Sequence, residues 1–267
     1  MLPLKPLIIL KLGGSVITYK NISPPKSNIE ALSRIAGEMR ISSNPKIVVL
    51  GGGSHGHQAA HKYGYGSLET SNTMRLAGIP EIRHNMSMLA LEVESSLTNA
   101  GIPSVVLSPF SFVKMNNGII SEFPLEIIQK SIDAGITVIL HGDVCFDSVL
   151  GSSILSGDTL VVFLAQELTT SSILIGTNVD GIFEENPDDN PEAKIISVID
   201  ATNRESVLAG AGPSKSTDVT GGMTRKVNDL FSLENTGIEV VVFNLNIPGR
   251  LKKLLNGKPI TCTRIQI

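Results

Sequence analysis

The sequence predicts an α/β fold in which helices cover a largely parallel sheet, and three observations predict it. Short apolar runs rich in Ile and Val recur along the chain, stretches with helical spacing fall between them, and several runs end in glycine-rich polar turns. The runs barely alternate between apolar and polar residues, as suits strands covered on both faces.

In chain order, the first run is LIIL (7–10), followed by the helix-like SNIEALSRIAGEMR (27–40). KIVVL (46–50) comes next, then a helix over 81–101 that stops at Gly101, then PSVVLS (103–108). Asn117-Gly118, between extended flanks in FVKMNNGIISEF (112–123), predicts a β-hairpin, because both residues tolerate the positive φ that such turns require. A helix over 124–135 stops at Gly135, glycine being favoured just past a helix end. ITVIL (136–140), SSILI (171–175) and EVVVF (239–243) are further buried strands, and TCTRIQI (261–267) reads as a last strand at the sheet edge. No repeat or linker divides the chain, so two lobes sharing one sheet are expected rather than separable domains.

Bulk properties exclude several classes. With 267 residues the chain can bury a substantial core, and 42% hydrophobic against 18% charged residues is the balance of a soluble globular protein. A net charge of −3 lacks the basic excess of a nucleic-acid binder, and the absence of tryptophan removes the best stacking platform for single strands. Cys145 and Cys262 form neither a disulfide framework nor a metal-binding spacing, which suits a reduced, cytoplasmic setting. LIIL is too short to cross a membrane.

Four strand ends are polar and rich in glycine: Lys11-Leu12-Gly13-Gly14-Ser15, Gly51-Gly52-Gly53, His141-Gly142-Asp143, and 176–181 ending in Asp180-Gly181. Ligands of open α/β sheets bind beyond the carboxyl ends of the strands, so the four point to one crevice. Glycines there let backbone N–H groups close on an anion, and a helix starting at the same point adds its dipole. Two such loops, after 7–10 and after 46–50, imply two anionic groups brought together. Lys11, Lys20, Arg225 and Lys226 supply positive charge near glycine turns. Phosphoryl transfer between anions needs this combination, since its catalysis is positioning and charge stabilisation.

Competing motifs fail. Gly51, Gly53 and Gly56 fit G-x-G-x-x-G, but the acid expected about 20 residues on is missing: Glu69 follows KYGYGSL, which is no buried strand. There is no G-x-x-x-x-G-K-[ST] loop and no G-x-S-x-G elbow. His55, His57 and His61 could be drawn as a metal site, but no cysteine or carboxylate lies close in sequence to complete it. His55 and His61 are expected at the surface or one layer behind a ligand, and His141 in the crevice floor.

KLGGS (11–15), GGGSHGH (51–57), HGD (141–143), SGD (156–158), VDG (179–181) and DVTGGM (218–223) together resemble the amino acid kinase family, in the same order and over nearly the whole chain. The resemblance implies a three-layer αβα sandwich with one continuous core, an acceptor lobe over about 1–165 and an ATP lobe over about 166–267. It implies that Lys11, Leu12, Gly13, Gly14 and Ser15 hold ATP phosphates, with Gly53, Asn178, Asp180, Gly181, Gly221 and Lys226 also facing the nucleotide. Gly52, His57 and Gly157 would meet the acceptor. Lys20 is similar to the lysine that stabilises the transferring phosphoryl group, and Asp158 to the acid that organises the lysines. With Lys11 and His57 these are the expected catalytic residues.

His57 matches a histidine that hydrogen-bonds an acceptor's own phosphate, a role imidazole suits near neutral pH. The implied reaction is phosphorylation of isopentenyl phosphate by Mg²⁺ and ATP, giving isopentenyl diphosphate and ADP, in a homodimer without nucleic-acid or membrane partners. Fosfomycin, uridylate or acetylglutamate are the alternative acceptors, and a dinucleotide-binding protein or an inactive binding module the alternatives of another class. Leu50, His55, Asn178 and Thr224 depart from common family residues. Met74, Leu76, Ile79, Ile82 and Met86 suit either a wall for a short hydrocarbon tail or plain core.

Overall fold

The computed structural model describes residues 6–20, 22–67, 69–185, 187, 190, 192–210, 228–234 and 236–266. β1 (Leu7–Leu12) lies inside an eight-stranded sheet, and all of its residues are buried. On one side follow β2 (Lys46–Leu50), β6 (Thr137–His141) and β3 (Ser104–Val106); on the other β9 (Thr170–Thr177), β11 (Glu239–Asn244), β12 (Thr263–Gln266) and β10 (Val198–Ile199). Every neighbouring pair is parallel except β11 with β12. Ile9 stands opposite Ile47 on one side and Ile173 on the other.

Successive strand residues point to opposite faces, so an uninterrupted apolar run is what a sheet covered twice requires. On one face Ile8, Leu10, Leu12, Val48 and Leu50 pack against α2 (Ile29–Met39), α3 (Gly53–Lys62) and α4 (Asn72–Asn99), through residues such as Ile35, Ala59 and Leu89. On the other, Ile9, Ile47, Val49, Val138 and Leu140 meet Ile128 of α5 (Glu126–Asp133) and Leu160, Val161 and Leu164 of α6 (Gly157–Glu167). The result is a helix–sheet–helix sandwich whose central sheet runs unbroken through the chain. Among the described residues no helix is long and apolar enough to cross a membrane.

The hairpin forms where Asn117-Gly118 places it: β4 (Lys114–Asn116) turns into β5 (Ile119–Glu122), with φ of 49° and 78° at the two turn residues. Gly101 and Gly135, both at φ 76°, end α4 and α5 as expected. Three features differ from expectation. β12 is an interior strand, because β10 pairs outside it. α4 starts nine residues earlier than position 81, capped by the Ser71 side chain, which accepts from the Met74 N–H. It runs through Pro80, whose missing N–H forfeits a bond to the Leu76 carbonyl. The third is a small second sheet, in which β4 and β5 join the hairpin of β7 (Asp143–Asp147) and β8 (Gly151–Leu155). Asp147 is its hub: the N–H groups of Asn117, Gly118, Val149 and Leu150 and the Ser153 hydroxyl all donate to its carboxylate.

Candidate active site

The crevice lies where the chain order of the sheet reverses, between β1 running on to β2 and β9 returning on the other side. After β1 the Gly13 N–H donates to the Gly176 carbonyl (2.8 Å), and after β2 the Gly51 N–H donates to Leu12 (2.9 Å). The two glycine loops are in backbone contact. A Cβ on Gly14 would stand 2.3 Å from the Gly53 nitrogen, far inside contact distance, so no side chain fits there. Gly53 adopts φ 50°, which brings the start of α3 against α1 (Gly14–Ile17), a single turn that begins at the other loop.

Lys11 sits on the strand immediately before the first loop, 6% exposed. Its Nζ pairs with Asp158 Oδ1, and Asp158 stands in the first turn of α6, where a negative charge complements the helix dipole. The Ser156 hydroxyl caps this helix by accepting the Thr159 N–H (3.0 Å). Gly157 packs so close to the second loop that a Cβ would lie 3.0 Å from the Leu50 carbonyl oxygen. Lys11, Leu12, Gly13, Gly14, Gly52, Gly53, Gly157 and Asp158 are thus gathered around one point by the ends of β1 and β2 and the start of α6.

On the β9 side, the Ser15 hydroxyl donates to Asn178 Oδ1 (3.1 Å), joining the first loop to the turn after β9. Asp180 accepts from Asn244 Nδ2 (3.0 Å) and from Arg250 Nη1 (2.6 Å), the first residue of α8 (Arg250–Leu255). The Arg250 guanidinium holds the Asp180 carboxyl below its usual range. Gly181 packs on Thr263 of β12, whose hydroxyl accepts the Ile182 N–H (2.7 Å). Lys20 is exposed in the turn after α1, and His57 is half-buried on α3 one turn past Gly53. Gly221 and Lys226 lie outside the described residues, as do Thr224 and Arg225.

The sequence matches the amino acid kinase family over residues 6–244. The chain belongs to that family. An isopentenyl phosphate kinase of Methanothermobacter thermautotrophicus is 34% identical over 97% of this chain and 98% of its own. A second, from Methanocaldococcus jannaschii, is 32% identical over 94% and 96%. A solved isopentenyl phosphate kinase superposes with a TM-score of 0.85 at 31% identity, covering 97% of this chain and all of that one. As a member of this family the protein is a phosphotransferase that uses ATP.

Two regions bordering the site extend beyond what the motifs signalled. One is a buried polar cluster behind the HGD strand end. Arg83 of α4 donates through Nη1 to the Ser108 hydroxyl and to Asp143 Oδ2, and Asp143 also accepts from the Phe110 and Val144 N–H groups. His141, wholly buried, places Nδ1 2.9 Å from the Gly142 carbonyl and Nε2 3.3 Å from Ser108 Oγ. Burial pushes its imidazole pKa down, against the pull of Asp143 and the Gly142 carbonyl. The other is the underside of α3. His55, expected at the surface or one layer behind a ligand, is 4% exposed, with Nε2 3.3 Å from the Ser27 hydroxyl. Of the Met stripe, Ile82 and Met86 are core while Met74 and Leu76 are exposed.

Proposed function

We propose that the chain transfers the γ-phosphoryl group of ATP to isopentenyl phosphate, giving isopentenyl diphosphate and ADP. The observation that carries this reading is the backbone contact between the two glycine loops, Gly14 against Gly53. Two anion-binding loops at that separation suit a reaction in which both partners present a phosphate, and the full-length likeness to isopentenyl phosphate kinases supports the acceptor. In this reading Lys11, Leu12, Gly13, Gly14 and Ser15 hold the ATP phosphates, and Gly52, His57 and Gly157 hold the acceptor. Apart from this phosphate loop after β1, the acceptor falls on about 1–165 and the nucleotide on about 166–267.

The acceptor oxygen is already ionised, so no general base is needed. It forms the new P–O bond while the bond to the β-phosphate oxygen breaks and ADP leaves with that electron pair. Lys11, aligned by Asp158, and Lys20, at the exposed turn, offset the charge that spreads over the transferring group. His57 would hold the acceptor's phosphate, whose charge favours a protonated imidazole. Among the described residues no group of three His, Cys, Asp or Glu side chains could hold a metal ion. Mg²⁺ would be carried mainly by nucleotide phosphates and water, where it would neutralise phosphate charge. A homodimer belongs to the same proposal, and Met88 and Leu91, exposed on α4, are residues an interface would cover.

The test is ADP release with Mg-ATP and isopentenyl phosphate, uridylate, fosfomycin or N-acetylglutamate, for wild type and His57→Ala. Turnover on isopentenyl phosphate that falls about a hundredfold in the mutant is expected. Turnover on the carboxylate acceptor that ignores the mutation would overturn the choice of acceptor.

A further inference from the structure

α3 begins without a cap of its own. Its N-cap residue is Gly52, which has no side chain, and a Cβ there would crowd Gly56, 3.2 Å from its Cα. The first bond within the helix runs from the Gly56 N–H to the Gly52 carbonyl (2.9 Å), so helix geometry leaves the Gly53, Ser54 and His55 N–H groups without partners of their own. The Ser54 N–H is satisfied from elsewhere. It donates to Thr18 Oγ1 (3.0 Å), 36 residues upstream at the end of α1.

That hydroxyl also donates to the Gly14 carbonyl (2.8 Å), and the Thr18 N–H donates to the same oxygen (3.0 Å). One hydroxyl, on a residue only 3% exposed, therefore ties the first glycine loop to the helix that starts at the second. Thr18 also fills the space opposite Gly53, where a Cβ would meet its Oγ1 at 2.2 Å and its methyl carbon at 2.9 Å. Two further contacts bind α3 to the segment that follows. Ser27, in a β-bridge with Thr18, meets His55, and Gln58 Nε2 donates to the Ile22 carbonyl (3.1 Å). Lys20 lies between these attachments.

We infer that Thr18 is the positioning residue of this kinase, setting the separation and relative orientation of the two phosphates and the approach of Lys20, by capping the acceptor helix from the nucleotide loop. The inference rests on the reading of the two loops as donor and acceptor sites. It assigns Thr18 no contact with either substrate. Its loss shows in turnover rather than in binding, because each loop keeps its own N–H groups and loses only its alignment with the other. Misplacement of about 1 Å costs transfer reactions on the order of a hundredfold.

The experiment compares Thr18→Val, which keeps the shape and removes the hydroxyl, with Thr18→Ala and Thr18→Ser. Each is assayed below its measured melting temperature for kcat and for KM of both substrates, and the 51–58 peptide is followed by amide hydrogen exchange. The expected result is a kcat at least about tenfold lower in T18V and T18A. KM stays within about threefold, T18S stays near wild type, and exchange over 51–58 is faster only where the hydroxyl is gone. If T18V does not fold, T18A against T18S carries the comparison. Serine as damaging as alanine would mean that the methyl group packs and the hydroxyl does nothing, overturning the inference. Unchanged kcat in T18V and T18A, or lost kcat without faster exchange, would overturn it equally. A wild type silent on isopentenyl phosphate sinks the acceptor reading instead. The variants are then compared on whichever acceptor of the panel turns over, or by exchange alone.

Discussion

Two buried ion pairs stand a short way apart in this molecule, and they are built differently. Lys11 and Asp158 meet where the glycine loops converge, and their side chains remain 8% and 16% exposed. Arg83 and Asp143 meet behind the HGD strand end, where the Asp143 side chain is wholly enclosed. Asp143 is also saturated by protein donors: besides the guanidinium it accepts from the Ser108 hydroxyl and the Phe110 and Val144 N–H groups. The first pair opens toward a place where charge must be offset during a reaction. In the second, the aspartate has nothing left to offer a ligand. Burial alone does not mark a working charge pair; what matters is whether the pair stands where the glycine loops converge.

The largest effect should come from the open pair. Lys11→Met is expected to lower kcat by about 10²–10³, the cost of removing one preorganised charge stabiliser. The fold should persist, since Asp158 keeps partial exposure and a helix N-terminus to soften its loss. Steady-state ADP release beside urea melts checks both halves. Near-normal turnover with a large stability loss would mean that this pair, too, is only scaffolding.

The closed pair should show the reverse. Arg83→Met leaves a buried aspartate short of its cation, and breaking such a pair costs about 3 kcal/mol of stability, at the low end because the arginine is 19% exposed. Turnover per folded molecule should stay within about threefold of wild type, the range a lost surface-distant contact leaves. A denaturant series with activity measured at the same temperature separates the two readings, and a selective loss of kcat would erase the distinction.

The contrast also explains how much was legible. Lys11 stood out because it interrupts an apolar strand just ahead of a glycine pair, and Asp158 through the family resemblance that SGD (156–158) carries. The parallel sheet was readable for a similar reason, since two-faced burial leaves uninterrupted runs such as KIVVL. Arg83 left no trace, being a single arginine in a helix whose partners lie 25 and 60 residues away. The β7–β8 hairpin was missed because Asp147 and the serines around it look like loop, and only their convergence on five donors makes a strand end of them. Thr18 was missed because its work is done across the fold. α4 was placed late because Pro80 reads as a boundary, although a capped start at Ser71 and the packing of Ile82 and Met86 outweigh one lost hydrogen bond.

Asp147 extends the comparison to a third buried acid, this one without a cation among the described residues. Burial alone would raise its pKa, but the Leu150, Gly118 and Val149 N–H groups and the Ser153 hydroxyl outweigh that and hold it down to about 2. A carboxyl depressed in the folded state stabilises above its unfolded pKa of about 4, and that stability is lost as pH falls toward the folded value. The contribution at neutral pH is about 2 kcal/mol. Asp147→Asn should therefore be less stable at pH 7 and nearly matched with wild type near pH 2. Melting curves that stay equally far apart at both ends would mean that the carboxylate charge is not what holds the small sheet.

The smallest effect separates the two regions by pH. His55 braces the crevice from below and His141 lines the closed cluster, and burial lowers the pKa of both, with Glu92 opposing at His55. Well above the unfolded pKa of about 6.5 neither imidazole is charged in either state, so neither makes stability depend on pH. Below that the unfolded chain takes up protons that the folded one refuses, and stability declines by at most about 1.4 kcal/mol per pH unit for each histidine. His55→Gln should remove one share of this slope between pH 6.5 and 5 and leave the other. A slope untouched by the substitution would place a proton on His55 in the folded protein, where its Nδ1 has no hydrogen-bond partner among the described residues. The crevice would then respond to acid independently of the closed cluster, and the two regions would differ in their protons as well as in their charges.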